Sequence, residues 1–414
     1  MNMKLFNKIK SIVLLTATAG LILTACNKAP LDPVPLDQPA QGTSPTLATL
    51  LDDPNFSILK EAVKKAGLLS TLSVPTLRFT VFAPDNAAFT ASTAPFPPLA
   101  FLASLDTPTV KSIVSYHVVP QVIGSASIPS TFPNFQYPSI LNPAPQLSAL
   151  LRLTTFPSKR GAAFWVNNIP VTATDLQAVN GVLHKVAAVV APPSRYLWDV
   201  NPSTPTSPNN SIFNAPDLTY LKAAISRADS GVAPGATLVD ALTNIGANLT
   251  VLAPTDIAFQ QTLTGAIAQG LIAQGVPGAT ALAQATALAS TPGVFTNPAL
   301  WNVITPTFAK GIVAYHILSA QAAPFTPPGI RVFSVNFPTS PLPVKTLLNS
   351  AVAAHPGVIL QAVFTGPFVS SATVKGAANT TASNVIINPA NPIATDQHFL
   401  NGVIIRIDQV LRPQ

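Results

Sequence analysis

The sequence predicts an α+β protein made of two tandem copies of one domain. Two eleven-residue stretches are nearly the same, FTVFAPDNAAF at 79–89 and LTVLAPTDIAF at 249–259. Two more pairs of similar stretches follow in the same order: VSYHVVP (114–120) with VAYHILS (313–319), and NGVLHKVAAVVAPP (180–193) with NGVIIRIDQVLRP (401–413). In each copy, helical patterns come first and alternating strand patterns come later, which is typical of the α+β class.

The spacing of the three pairs indicates how the copies diverged. The offset between the copies is 170 residues at the first pair, 199 at the second and 221 at the third. A short-period repeat protein would keep one constant offset. The growing offset therefore predicts that one domain was duplicated and that loops of the second copy were lengthened.

The composition is that of an apolar globular protein with few charges. Of the 414 residues, 48% are hydrophobic and 9% are charged, and the 43 prolines predict many turns and extended connections. The formal net charge of +7 falls to +4 without the three lysines of the first 25 residues, which contain no acidic residue. No run of Lys and Arg exceeds two residues, so a nucleic-acid partner is not expected.

Residues 1–25 have the pattern of an export leader. Three lysines precede the apolar stretch SIVLLTATAGLIL (11–23), which is short for a membrane span. The stretch LTAC (23–26) then resembles the lipobox of bacterial lipoproteins, in which the leader is removed and the cysteine carries lipid. Cys26 is the only cysteine and has no disulfide partner. We therefore predict a signal peptide over 1–25 and a lipid anchor at Cys26, which holds the protein on a membrane of the cell envelope, at the outer membrane or cell surface. An ordinary secretory leader with an unrelated cysteine is the alternative.

Two proline-rich stretches set the predicted domain boundaries. Residues 26–45 are predicted to be a tether and residues 193–211 a linker, because both lack apolar periodicity. The predicted domains are residues 46–192 and 212–414. The YLW triplet within the linker is expected to be able to pack on a neighbouring surface.

The first repeated stretch predicts a corner between a strand and a helix. TVFAP alternates as a strand does, and Pro84 ends the ladder. Asp85 then stands where a helix N-cap belongs, with Asn86 as a second cap-type residue. In the second copy the cap-type residues are Thr255 and Asp256, so either of the two positions could supply the cap. A solvent-facing contact role for Asp85 and Asp256 is the alternative.

Three helices are predicted from apolar periodicity. Residues 51–72 form an amphipathic pattern that Asp53 caps and Gly67 ends. Residues 215–228 repeat this helix in the second copy, and the alanine-rich stretch 279–290 is predicted to be an added helix.

Together these stretches resemble the fasciclin domain family over most of 46–192 and 212–414. The resemblance rests on the FTVFAPDNAAF corner, the YH dipeptides at 116–117 and 315–316, and the two closing NG strands. It implies a twisted β-sandwich or wedge with helices packed on one side, and an extracellular, membrane-attached adhesion or matrix-binding role. The family is not an enzyme family.

The resemblance also singles out residues and departures. The usual histidine of the closing strand is present as His184 but is replaced by Ile405 in the second copy. The usual aspartate is present as Asp408, whereas the first copy has Ala188. In animal members, the regions around the aspartate-containing stretch and the YH dipeptide are associated with receptor contacts.

The candidate binding residues are therefore the two aspartates of the corners and the two YH dipeptides: Asp85, Tyr116, His117, Asp256, Tyr315 and His316. The resemblance places each YH dipeptide at the start of a strand, where neighbouring side chains alternate, so one of the two is expected to point inward. A buried histidine with backbone partners is the structural alternative.

The closing strands begin with Asn180–Gly181 and Asn401–Gly402. These are turn dipeptides whose residues tolerate a positive φ, and their predicted role is to fix the strand.

Signals for catalysis or metal binding are poor. The five histidines show no HxH or HExxH spacing, and there is no cysteine cluster, nucleophile elbow or phosphate-binding loop. The sequence therefore predicts no enzyme, no cofactor and no metal. An enzyme would require a polar cluster that only the fold brings together.

The predicted function is adhesion by a membrane-anchored surface lipoprotein with two tandem domains. Its expected partners are extracellular polysaccharide, matrix or cell-surface protein, and the membrane through the lipid anchor. The alternative is a glycan-binding or small-ligand-binding envelope lipoprotein. In that case the insertion of the second copy and RYLWD (195–199) would frame a pocket lined by Trp198 or Trp301.

Overall fold

Each half of the chain builds helices first and most of its strands afterwards, so the predicted α+β class is confirmed. The computed structural model describes residues 44–90, 104–128, 130–202, 210–301, 303–319, 330–388 and 395–413. The predicted leader, Cys26 and nearly all of the predicted tether lie outside these residues. The chain divides into two units, residues 1–44 and residues 45–414, and every described helix and strand belongs to the second.

The elements of the first half, among the described residues, are α1 (Leu47–Leu50), α2 (Ser57–Lys65), α3 (Leu69–Leu72), β1 (Phe79–Pro84), α4 (Asn86–Thr90), α5 (Thr107–Tyr116), β2 (Val118–Val119), β3 (Tyr137–Pro138), β4 (Thr154–Thr155), β5 (Pro157–Arg160), β6 (Ala163–Val166), β7 (Ile169–Ala178) and β8 (Gly181–Val186). Those of the second half are α6 (Thr219–Ala228), α7 (Leu238–Thr243), β9 (Leu249–Pro254), α8 (Asp256–Ala273), α9 (Gly278–Leu288), α10 (Pro306–Tyr315), β10 (Leu342–Val344), β11 (Val358–Thr365), β12 (Phe368–Lys375), β13 (Ser383–Asn384), β14 (Asp396–Phe399) and β15 (Gly402–Ile407).

A pair of parallel strands lies in each half. β1 runs parallel to β8, with Phe79 opposite Gly181, and β9 runs parallel to β15, with Leu249 opposite Gly402. The first pair belongs to a six-stranded sheet in the order β2-β1-β8-β7-β6-β5, and the second to a three-stranded sheet in the order β14-β15-β9. Strands β10 to β13 form a further four-stranded sheet, and β3 pairs with β4. The corner and the closing strand, distant in sequence, are thus neighbours in each half.

The first strand of each parallel pair is buried on both faces. In β1, Val81 packs in the core cluster that contains the helices of the first half, whereas Phe82 packs in a different cluster. Val251 and Leu252 divide in the same way, since Val251 packs in a cluster of the second half and Leu252 in a cluster to which both halves contribute. This explains why both strands are apolar without the polar alternation of a half-exposed strand.

The predicted helix over 51–72 is broken into three pieces. A 3-10 turn at Pro54–Phe56, capped by the Asp53 side chain, precedes α2, and α3 follows a turn at Gly67. Gly67 has a φ of +71°, which a residue with a Cβ adopts at a cost, so the helix ends before it as predicted. The predicted helix at 215–228 begins only at Thr219, and the added helix is present as α9.

Within the predicted linker, residues 197 and 198 of the YLW triplet pack on a neighbouring surface, as the sequence analysis allowed. Leu197 is fully buried and Trp198 is 9% exposed, and both belong to the core cluster of the second half. The Trp198 ring meets the Phe213 ring at 5.5 Å between centroids. Burial of these two apolar side chains makes the segment part of the second half, although its prolines are typical of a linker.

A shared core joins the two halves. Phe156 and Trp165 of the first half belong to a cluster whose other fully buried members come from the second half. The Trp165 Nε1–H donates to the carbonyl oxygen of Pro367 at 2.8 Å, and the Phe156 ring meets Phe333 at 5.7 Å. The halves are therefore packed against each other through buried aromatic side chains.

The helices in the described ranges lack the combination of length and apolar character that crossing a membrane requires.

Candidate functional site

The first corner holds two helix caps rather than one. Asp85 Oδ1 accepts from the Ala88 N–H at 2.7 Å and so caps α4, as predicted. Its other oxygen lies 2.5 Å from Lys185 Nζ on the neighbouring strand β8. Asn86 Oδ1 accepts from the Ile58 N–H at 3.1 Å and so caps α2. The corner therefore fixes its own helix, the first helix of the domain and the closing strand.

The second corner uses the same two positions with different residues. Thr255 Oγ1 accepts from the Ala258 N–H at 3.4 Å and caps α8. The Asp256 carboxylate accepts from the Tyr220 N–H at 3.0 Å and from the Thr219 hydroxyl at 2.7 Å, and so caps α6. Asp85 and Asp256 thus cap different helices, and both carboxylates are occupied within the fold.

The prediction that the YH dipeptides lie on strands is wrong. Tyr116 and Tyr315 are the last residues of α5 and α10, and His117 and His316 are the C-caps of those helices. All four side chains are buried, with exposures of 2% or less. Side chains at a helix end do not alternate between two faces, so both members of each pair point into the core.

Each histidine closes a network between a helix end and the last segment of its half. Nδ1 lies 2.8 Å from the carbonyl oxygen four residues earlier, in both copies. Nε2 accepts from the Val190 N–H for His117 and from the Leu411 N–H for His316, at 2.9 Å in both cases. Burial lowers the pKa of each histidine to about 4. Nδ1 therefore carries the proton of a neutral ring, and the residues act as structural connectors.

The hydroxyl groups of Tyr116 and Tyr315 also make structural hydrogen bonds within their halves. The Tyr116 hydroxyl donates to the Thr154 carbonyl at 2.8 Å, and the Tyr315 hydroxyl donates to the Gly357 carbonyl at 2.6 Å. Burial raises the pKa of both phenols. None of the four side chains of the YH dipeptides is available for direct contact with a partner.

Asn180 joins three segments of the first half. Its Oδ1 accepts from the Leu47 N–H at 2.8 Å, and its Nδ2 donates to the Leu72 carbonyl at 2.8 Å. Its own carbonyl accepts from the Phe79 N–H at 3.0 Å. The side-chain amide thus replaces the missing backbone partners of α1 and of the C-terminal end of α3.

Asn401 makes the same bonds in the second half. Its Oδ1 accepts from the Leu197 N–H at 3.0 Å, and its Nδ2 donates to the Leu242 carbonyl at 2.8 Å. Leu197 therefore occupies the position that Leu47 occupies in the first half. This equivalence explains why the predicted linker is buried.

The two glycines are required by a close backbone approach. A Cβ on Gly181 would lie 1.9 Å from the Phe79 carbonyl oxygen, and one on Gly402 would lie 2.5 Å from that of Leu249. Gly181 has a φ of +152°, but Asn180, Asn401 and Gly402 have no positive φ. The predicted explanation by turn conformation is therefore wrong for those three residues.

The residues that surround His184 and Ile405 explain why the two copies differ at this position. His184 Nε2 lies 2.7 Å from the Ile123 carbonyl and its ring stacks on Phe82, whereas Ile405 opposite Leu252 is packed in a purely apolar cluster. Burial lowers the pKa of His184.

Asp408 pins the edge strand β13 in the second half. Its carboxylate accepts from the Ser383 hydroxyl at 2.9 Å and from the Asn384 N–H at 2.7 Å. The strand register places Ala187 at the equivalent position, one residue before the predicted Ala188.

A buried polar cluster between the halves escaped the sequence analysis. Arg331 Nη1 lies 3.0 Å from His398 Nε2, and its guanidinium carbon lies 5.1 Å from the centre of the Phe156 ring. Asp396 accepts from the Ser334 N–H at 2.9 Å, and burial raises the pKa of its carboxyl to about 7. Burial also lowers the pKa of Arg331 to about 10. The signal in the sequence was an arginine inside the apolar run GIRVFSV, which requires buried partners.

Two cavities are open at the surface of the described residues. A smaller one of about 280 Å³ lies at the junction of the halves, between β5 and the segment 335–340. A larger cleft of about 670 Å³ runs between α8 and the segments around Asn379 and Asp408. Neither Trp198 nor Trp301 lines either of these two cavities. Trp301 is 48% exposed, with Arg227 5.1 Å from the centre of its ring.

Within the described residues, no three His, Cys, Asp or Glu side chains are grouped so that they could hold a metal ion.

Comparison with known proteins gives a family profile and relatives that each match part of the chain. The family profile described as Fasciclin domain matches residues 54–192. Protein sll1483 of Synechocystis is 37% identical over 142 residues, which are 33% of this chain and 68% of that protein. Transforming growth factor-beta-induced protein ig-h3 of Sus scrofa is 30% identical over 163 residues. That match covers 36% of this chain but only 20% of the length of ig-h3.

Among solved structures, a FAS1 domain pair from the insect cell adhesion molecule Fasciclin I aligns with 87% of this chain and 98% of that chain. The identity is 14% and the TM-score is 0.30. The corner, the closing strand and the profile match lie in the same part of the chain, and the Synechocystis relative is matched over two thirds of its length. The chain therefore belongs to the fasciclin domain family.

Proposed function

We propose that this protein is a lipid-anchored surface protein that mediates adhesion to cells or to matrix. The observation that carries the proposal is membership of the fasciclin family, whose domains are adhesion-type, non-catalytic domains. The anchor is the predicted lipid on Cys26, placed after a cleavable leader. The proposed location is the cell envelope, at the outer membrane or cell surface.

We propose further that the second half is a second fasciclin domain, which begins near residue 195 and runs to residue 414. The support is a set of matched bonds: those of His316 match those of His117, and those of Asn401 match those of Asn180. The parallel strand pair is also matched. A chance resemblance between short motifs would not reproduce the partners of each side chain.

The geometry favours contact through exposed surfaces rather than through the family motifs. The motif side chains are used within the fold, whereas Trp301, Val303 and Phe308 of the second half expose about half of their surface or more. Since the two halves are packed together, a partner that binds both meets them at a fixed spacing. Two weak contacts at a fixed spacing gain strength through effective concentration.

The test is direct binding by the lipid-free chain from residue 27 onward, which retains the whole unit 45–414. It is applied to intact cells of the source organism and to a panel of matrix proteins and polysaccharides. Saturable binding to a cell or polymer surface is the expected result. Absence of binding to every surface would overturn the adhesion proposal.

The larger cleft favours a second candidate function, the capture of a glycan or other small ligand. About 670 Å³ is within the range of small-molecule sites, and the lining combines Gln261, Gln269 and Thr381 with Arg412. A rise in melting temperature with a small sugar or metabolite, without any surface binding, would favour this function. Substitution of Gln261 and Gln269 by Ala would then remove the rise.

A further inference from the structure

The charged side chains that line the smaller cavity, at the junction of the halves, are all positive. The lining includes Lys159 and Arg160 but no acidic residue. No carboxylate forms an ion pair with either side chain among the described residues. Lys159 Nζ donates to the Ser125 carbonyl oxygen at 3.4 Å, so a backbone acceptor and not a carboxylate is its partner.

Arg160 is held rigidly in this cavity by the second half. Its Nη2 donates to the Phe337 carbonyl, and its guanidinium carbon lies 4.2 Å from the centre of the Phe364 ring. Its Nη1 is buried and has no hydrogen-bond partner. Burial without an anion lowers the pKa of Arg160. The described residues therefore leave one N–H group of this guanidinium without a protein acceptor.

The rest of the cavity fits a ligand that is rich in hydroxyl groups. Four exposed residues of the lining have hydroxyl side chains: Ser130, Thr131, Thr339 and Ser340. Hydroxyls both donate and accept, as the hydroxyls of a sugar do. Phe132 adds a partly exposed ring to the lining.

We propose that the junction cavity binds a carboxylate group of an acidic polysaccharide, with Arg160 and Lys159 as its cationic partners. The proposal rests on the proposed adhesion function and names the partner chemistry. Both halves line the site, because Asn336 Nδ2 donates to Ser158 Oγ at 2.9 Å across the junction. A guanidinium and an ammonium together supply the charge-assisted hydrogen bonds that a carboxylate accepts.

The test compares two variants with the same change in charge. The site variant is Lys159→Gln with Arg160→Gln, and the control is Lys111→Gln with Arg152→Gln, which are exposed residues outside the cavity. Binding of the chain from residue 27 onward to alginate is measured at constant ionic strength, with dextran as the neutral polymer. We expect the site variant to lose affinity for alginate by about tenfold or more, and the control to keep it. An equal effect in both variants, or none in either, would overturn the proposal.

A second variant guards against loss of folding, because Arg160 also contacts the second half. Lys159→Glu leaves the contacts of Arg160 intact and is compared with Lys111→Glu. Lys159→Glu should also weaken alginate binding when both variants are measured well below their melting temperatures, so that loss of the Nζ donor to the Ser125 carbonyl does not unfold the chain. Alginate binding that is unchanged by Lys159→Glu would count against the site.

Three further probes separate possible sources of the anion. Inorganic phosphate and dextran sulfate test for oxyanions other than carboxylate, and poly-glutamate tests for an acidic peptide. If one of them binds more tightly than alginate with the same dependence on Lys159, the polysaccharide assignment is wrong. If the wild-type chain binds cells but the site variant keeps alginate binding, the site fails and adhesion stands. If the wild-type chain binds neither cells nor any polymer, the adhesion proposal itself fails.

Discussion

The histidines of the two YH dipeptides show how single residues make this fold depend on pH. Each ring donates from Nδ1 and accepts at Nε2, so a second proton on Nε2 would face a backbone N–H. The pKa of about 4 in the folded state lies below the ordinary value of 6.5. Between pH 4 and pH 6.5, the folded state therefore binds fewer protons than the unfolded state.

We predict that the two histidines make the free energy of unfolding rise with pH between about 4 and 6.5. Their contribution is complete above pH 6.5 and is lost as the pH falls towards 4, on the order of 3 kcal/mol for each histidine. Asp396 acts in the opposite direction, because its pKa is raised to about 7 and its contribution is lost as the pH rises. Urea denaturation at several pH values measures the sum.

Two variants separate these contributions. His117→Gln should make the dependence on pH less steep by up to one proton, and Asp396→Asn should make it steeper. Identical slopes for the wild type and His117→Gln would contradict the assignment of a neutral, buried histidine.

Gly181 carries a second prediction for a single residue. Gly181→Ala should destabilise the protein by about 3 kcal/mol or more, because the new Cβ meets the Phe79 carbonyl oxygen and the backbone has a positive φ. Gly161→Ala is the matched control, since Gly161 has a φ of +56° but open space around its Cβ, and should cost about 1 kcal/mol. Chemical denaturation compares the two, and equal losses would show that the close approach does not matter.

The individual elements were predictable where their causes are local. Asp53, Asp85 and Gly67 act within a few residues of their own positions, and the sequence analysis identified all three correctly. The YH dipeptides were identified, but their roles were not. The partner of His117 is 73 residues away and that of His316 is 95 residues away, so the fold alone brings them together.

At the scale of the elements, the corner between β1 and α4 predicts how the loss of a helix cap changes stability. Asn86→Ala should cost about 1 kcal/mol because α2 loses the acceptor for the Ile58 N–H. Asn86→Asp keeps the acceptor, as Asp256 does in the second half, and should cost less than Asn86→Ala, although the carboxylate cannot replace the Nδ2 donor to the Pro54 carbonyl. Thermal denaturation of both variants is the measurement. Equal destabilisation by Ala and Asp would show that Asn86 does not act as a cap for α2.

The organisation of the whole molecule was predictable only in part. The three repeated stretches indicated two similar halves, and the structure shows the same strand pair and hydrogen bonds in both. The contact between the halves was not visible in the sequence. Trp165 and Pro367 are 202 residues apart, and Arg160 and Phe337 are 177 residues apart. The junction cavity was missed for the same reason, because it exists only when the halves are packed together.

The shared core has a consequence for the energetics of the whole molecule. Trp165 is 1% exposed and lies among side chains of the second half. Trp165→Ala should therefore cost about 3–5 kcal/mol and lower the stability of both halves. Trp301→Ala is the control, because that ring is 48% exposed and lies outside the shared core.

If the shared core makes the two halves unfold as one body, calorimetry of the chain from residue 27 onward should show one unfolding transition for the wild type. Trp165→Ala should lower the temperature of this transition or divide it, and Trp301→Ala should leave it nearly unchanged. Two separate transitions in the wild type, with only the first half affected by Trp165→Ala, would show that the halves unfold independently.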